Sequence, residues 1–202
     1  MIGARIGADH FIAWRLRAAP PLPHGLEAVR EGGGPWQLFA CASLERVRVR
    51  GIVCPGRCRV AAWLVPCRLP DGTIGNLFQA AYSDAPAVVA AYRLLGVRSA
   101  FLARLRVGAT GLCGPGVRAR FGAPLTVPEL AWFATDRCGL IATRGGVLRL
   151  PLAKRGWHHR ARTVAVDCPA LAGDAANVVA ALDCSGDLAC WGLPAGLQAV
   201  RG

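Results

Sequence analysis

Cys41, Cys54, Cys58 and Cys67 fall in the pattern C-x12-C-x3-C-x8-C. Zinc takes four thiolate or imidazole ligands at tetrahedral corners, and a thiol pair at a turn is the usual half-site. The stretch Cys54-Pro55-Gly56-Arg57-Cys58 is such a turn. Cys41 and Cys67 are isolated, however, and the competing reading has all four thiols packing as small hydrophobes. Cys168, Cys184 and Cys190 form a looser second set.

Lys154, Arg155, Trp157, His158, His159, Arg160 and Arg162 make the densest basic segment. Fixed positive charges, imidazoles and an indole suit a phosphate backbone with one base or sugar stacked on the ring. The plainer expectation is a solvated loop between two strands, with Trp157 tucked into the core. Arg46, Arg48 and Arg50, and then Arg104 and Arg106, recur at alternate positions. Like charges two residues apart on one strand face stand roughly 7 Å from each other and need water or an anionic neighbour. Only Glu45 is acidic near the first row in sequence.

Familiar catalytic patterns are missing: there is no GxSxG, HExxH, P-loop or GxGxxG before a helix. Gly111-Leu112-Cys113-Gly114-Pro115-Gly116 bends like an anion-binding loop, although a simple turn explains it as well. Cys168 with His158 or His159 is the pairing that could yield a thiolate nucleophile. Asp9-His10 and His24 have no recognisable partner and read as surface or turn residues.

The chain has 202 residues, enough for one domain with a substantial core. Hydrophobic residues make up 53% and charged residues 18%, against a usual charged share of roughly 25%. Mean hydropathy is +0.36. Either part of the surface is hidden in an assembly, or biased codons enriched Ala, Val and Gly. Twenty-four basic against 12 acidic residues give a net charge of +12 and a pI near 10.3. Lys154 is the only lysine, an imbalance typical of GC-rich genes, and a shifted or overlapping frame in such DNA would encode a similar mixture. The positive excess still favours anionic partners.

Nine cysteines rule out a complete set of intramolecular disulfides. Asp9, His10 and several arginines interrupt the apolar run that a secretory signal needs. Reduced thiols in an intracellular compartment, cytoplasmic or nuclear, are therefore expected. Residues 74–92 carry too many polar groups and a proline for a transmembrane segment.

Several elements must position these groups. Strands are expected at 2–7 and 10–17 around an Ala8-Asp9 turn, with an extended proline-rich arm completing residues 1–34. A short helix follows over 35–45. Alternation over 46–53 and 59–65 predicts a β-hairpin turning at Pro55-Gly56. A strand at 73–82 leads to a helix at 84–95, capped by Asp84, with Pro86 in its first turn and Gly96 as its stop. Further strands are expected at 99–107, 117–121, 140–143, 147–152 and 163–167, with a loop at 108–116. Helices are expected at 126–135 and 174–182, and residues 183–202 as a loosely ordered tail.

The fold class is α+β and β-rich: an antiparallel sheet, sandwich or barrel-like, with two or three short helices in one domain over 1–202. The leading functional expectation is a non-enzymatic basic subunit of a larger assembly, of virion or ribonucleoprotein type. It would hold protein neighbours and contact nucleic acid or another polyanion through its arginine rows and basic loop, without a cofactor. The alternatives are a zinc-stabilised nucleic-acid-binding module and a cysteine-dependent enzyme.

Overall fold

The computed structural model describes residues 2–49, 52–53, 56–128, 137–150, 152–169, 175–190 and 198–199. In chain order the strands are β1 (Ile2–Leu16), β2 (Glu27–Ala28), β3 (Trp36–Val49), β4 (Ile52–Val53), β5 (Arg57–Arg68) and β6 (Ile74–Ser83). The helix α1 (Pro86–Leu94) precedes β7 (Ser99–Phe101), β8 (Arg106–Gly108), β9 (Gly111–Gly114), β10 (Val117–Pro124) and β11 (Arg137–Thr143). Then come β12 (Gly146–Leu150), β13 (Leu152–Asp167), β14 (Ala175–Cys190) and β15 (Gln198–Ala199). They form a sheet in the order β15-β12-β11-β6-β5-β3-β1-β14-β13-β10-β9-β8. Pairing is antiparallel except where β6 meets β7 and β11.

The middle of this path is covered on both faces. Phe11 and Ala13 of β1 pack with Trp36, Leu38, Ala62, Leu64, Ile141 and Val97 on one side. Ile12 and Trp14 pack on the other with Phe39, Cys41, Ala61 and the residues Leu112, Val117, Ala119 and Phe121 of β9 and β10. Strands buried on both faces carry near-continuous apolar runs, not alternation, so a short run cannot be told from a helix by period. That is why 35–45, expected to be a helix, is instead the start of β3.

The same override explains β14. Ala175 to Leu182 favours helix by composition, yet this segment is hydrogen-bonded between β1 and β13. Residues 183–190, expected to be a loose tail, complete that inner strand. The two N-terminal strands are a single strand, β1, with a register irregularity between Ile6 and Asp9. The 108–116 loop is largely β9 in a hairpin with β10, closed where Gly116 takes a positive φ of 69°. Of the expected helix at 126–135, residues 129–135 lie outside the described residues.

The expected hairpin is redrawn: Arg48 and Val49 pair back with Val53 and Ile52 of β4, and β5 pairs instead with 38–45, from Leu38↔Leu64 to Glu45↔Arg57. Helix α1 also lies where expected, with Pro86 in its first turn and Gly96 at φ 83° after its end. Its cap differs. Ala85 occupies the N-cap without a side-chain bond. Asp84 instead accepts the Arg59 backbone N–H at 2.7 Å and pairs with the Arg59 guanidinium at 3.0 Å, tying the helix entry to β5.

The β9–β10 hairpin offers one stability test. A Cβ at Gly111 would lie 2.3 Å from the Ala119 carbonyl oxygen, a backbone atom that moves only if the hairpin opens. Gly111→Ala should therefore cost about 2–4 kcal/mol, read as a lowered urea midpoint with an unchanged m-value.

Candidate active site

Cross-strand register brings together groups that the linear sequence separates. His10 of β1 faces Cys41 of β3 on one side and Asp183 of β14 on the other. Asp183 in turn faces Arg160 of β13, and Cys41 faces Ala61 of β5, next to Tyr82 of β6. One row across the sheet thus reads Tyr82, Ala61, Cys41, His10, Asp183, Arg160. Residues directly opposite in antiparallel pairs have Cβ atoms about 4.5–5.5 Å apart, close enough for side chains to interact.

His10 is only 4% exposed, which corrects its reading as a surface or turn residue. Its imidazole centre lies 4.5 Å from that of Phe121. The Arg162 guanidinium carbon stands 5.7 Å from the same phenyl centre. Arg162 is held by its own donors: Nε to the Gly122 carbonyl at 2.9 Å and Nη1 to the Ala109 carbonyl at 2.8 Å. Trp63 lines this interior within 4.9 Å of Phe39 and 5.6 Å of Trp14, ring centre to ring centre. Tyr82 and Cys168 pack against the same cluster. A thiol and an imidazole this deeply buried act on charge more strongly than they would in water.

The basic segment is not a loop. Lys154, Arg155, His158, His159, Arg160 and Arg162 lie on β13, opposite Leu188, Asp187, Ser185, Cys184, Asp183 and Ala181. Trp157 falls in the register irregularity between Arg155 and His158. Arg46 and Arg48 are on β3, with Arg48 opposite Gly3 and Val53; Arg50 lies outside the described residues. Arg104 stands in the turn after β7 and Arg106 begins β8, so the two share no strand face. Carboxylates answer several arginines: Glu45 holds Arg57 at 2.7 Å, Asp71 holds Arg149 at 3.0 Å, and Glu31 pairs with Arg68. Across the sheet the row Arg57, Glu45, Arg5, Asp187, Arg155 alternates in sign.

Of the four cysteines considered for zinc, the three described residues Cys41, Cys58 and Cys67 are not gathered. Cys58 sits opposite Leu44, three rows from the Cys41–Ala61 pair and so roughly 10 Å along the strand. Cys67 is six residues beyond Ala61, about 20 Å away, in a separate cluster with Leu26 and Val65. Cys54 lies outside the described residues. Among the described residues no three His, Cys, Asp or Glu side chains are grouped to hold a metal ion. Cys168 lies nine residues past His159, about 30 Å along an extended chain, and His159 faces Cys184 instead.

No family model matches the chain, and no curated protein matches it in sequence. Its fold does have solved counterparts. The acetoacetate decarboxylase of Legionella pneumophila superposes with a TM-score of 0.68 at 16% identity, over 100% of this chain and 88% of that one. The chain has the acetoacetate decarboxylase-like fold. The enduracididine biosynthesis enzyme MppR, in complex with the condensation product of pyruvate and imidazole 4-carboxaldehyde, follows at 0.66 and 12%, over 100% and 90%. An acetoacetate decarboxylase-like enzyme from Sphingomonas wittichii RW1 gives 0.63 and 12%, over 99% and 94%.

This likeness overturns the expectation of a non-enzymatic virion or ribonucleoprotein subunit that binds nucleic acid: the fold is one of enzymes. It is also not a simple sandwich with several helices, since α1 is the one α-helix among the described residues. No helix among them is long and apolar enough to cross a membrane.

Proposed function

We propose that this chain is an enzyme acting on a small oxo acid, with its chemistry at the interior lined by His10, Cys41 and Phe121. The observation that carries this is a buried imidazole in direct register with a buried thiol, inside a fold shared along its whole length with enzymes of oxo acids. The relatives' names give acetoacetate and pyruvate. Loss of CO2 from the first, and condensation of the second with an aldehyde, both pass through a carbon nucleophile beside a carbonyl. Such a site needs a cation for the carboxylate, a sink for the electron pair and a group that moves one proton.

The residues suit those tasks. Arg162, beside Phe121, and Arg160, in the His10 row, supply positive charge for the substrate carboxylate. His10 moves the proton. When acetoacetate loses CO2, the electron pair left on the carbon passes into the carbonyl as an enol, and that carbon then takes a proton. An imine is the other general sink, formed by an amine on the carbonyl with loss of water. Lys154 is the only lysine, so it is the only side-chain amine for that route.

The test is CO2 release from acetoacetate by the full chain. His10→Gln should lower kcat by about 10²–10⁴-fold, with circular dichroism confirming the fold. Lys154→Arg should match the wild type if the carbonyl itself is the sink, and lose turnover if an imine is. Wild-type activity unaffected by His10→Gln, or a folded wild type inert toward both acetoacetate and pyruvate, overturns the proposal.

A further inference from the structure

We propose that Cys41 is a nucleophile for small carbonyl compounds, activated by His10 across the β1–β3 pair. This rests on the reading of the same interior as an oxo-acid site, and it assigns the thiol a step which that reading leaves unused. The geometry carries it. Cys41 and His10 are direct register partners on adjacent strands. Cys41 is fully buried and His10 nearly so. The titratable register partner of His10 on β3 is Cys41, and the Arg162 guanidinium carbon lies 5.7 Å from the centre of the Phe121 ring beside the imidazole. Tyr82 of β6 packs on the same cluster.

A neighbouring imidazole that accepts the thiol proton converts an inert buried thiol into a thiolate. The step conserves atoms and electrons. The sulfur of Cys41 bonds to the carbonyl carbon, and the carbon–oxygen π pair moves to oxygen. The thiol proton passes through His10 to that oxygen, giving a hemithioacetal or hemithioketal that reverses by the same path. A 2-oxo acid fits this step best, because its carboxylate finds arginines at the rim and its adjacent carbonyl is electrophilic.

Cys67 provides an internal control. It is as fully buried as Cys41, but its register partners are Gly75 and Ala28, with no imidazole in the row. Iodoacetamide alkylation of the native full-length chain near neutral pH, mapped by peptide mass, should modify Cys41 at least about tenfold faster than Cys67. The advantage should disappear in both His10→Gln and His10→Asn, so failure of one variant to fold leaves the other to decide. Pyruvate at millimolar concentration should protect Cys41 and leave Cys67 unchanged. Equal rates at the two thiols in the wild type overturn the nucleophile but leave the acetoacetate result to stand or fall alone. Fast Cys41 without protection by pyruvate keeps the thiol–imidazole pair and overturns its oxo-acid substrate.

Discussion

Between pH 9 and pH 12 the native chain is expected to lose on the order of 4 kcal/mol of stability at one thiol, that of Cys67. Cys67 is wholly buried among Leu26, Val65, Leu69, Leu77 and Leu140, with its sulfur 3.3 Å from the Val65 carbonyl oxygen. Burial pushes its pKa from the usual 9.0 up to about 12, opposed only in part by the Leu77 backbone hydrogen bond. A thiol with a raised folded-state pKa favours the folded chain fully below its unfolded value. The unfolded chain ionises first as the pH rises, and the advantage is gone once the folded-state value is passed. Three pH units at about 1.4 kcal/mol each give the figure above. Cys138, on the other side of Gly75 in the same row, is also raised by burial, with Arg149 pulling the other way. Urea titrations from pH 8 to 12 should show a steep fall for the wild type. Cys67→Ala should start lower and fall more gently over this range, and parallel slopes for the two proteins would refute the assignment.

Replacing Trp36 by alanine should cost about 3–5 kcal/mol. The indole is fully buried with Phe11, Ala13, Leu38 and Ile141. Its Nε1–H donates to the Glu31 carbonyl at 2.8 Å, and the Arg15 guanidinium lies 5.5 Å over its ring. Trp36→Phe keeps most of the packing and removes the donor, so its cost should be nearer 1 kcal/mol. Equilibrium unfolding of the two variants separates the contributions. A loss under 1 kcal/mol for the alanine variant would mean that this side of the sheet carries little of the fold.

The sequence made some of this legible, and for identifiable reasons. Helix α1 announces itself through Pro86 and Gly96, and β5 through the alternation over 59–65, although its partner is 38–45 of β3 and not 46–53. Strand β14 was hidden because Ala175 to Leu182 prefers helix locally, and only pairing on both edges overrides that preference. The candidate site was hidden more deeply. His10 looked like a turn residue beside Asp9, although Phe11-Ile12-Ala13-Trp14 follows it without polar alternation. That run was the available signal: a strand apolar on both sides buries both faces, and an imidazole at its start is drawn inside with it. Nothing linear places Cys41 or Asp183 opposite His10, because register is a property of the paired strands. Arginines outside the expected rows look unanswered along the chain, yet Glu45, Asp84, Asp71 and Glu31 reach Arg57, Arg59, Arg149 and Arg68 across the fold.

The central claim is that a small oxo acid loses or gains a proton beside its carbonyl inside this chain. Deuterium uptake at the methyl group of pyruvate, followed by proton NMR in D2O with the full-length protein, measures that event without requiring a complete turnover. The wild type should accelerate exchange well above buffer, and His10→Gln should exchange at least about 10²-fold more slowly than the wild type. Exchange at the buffer rate in the presence of folded wild-type protein would contradict the account.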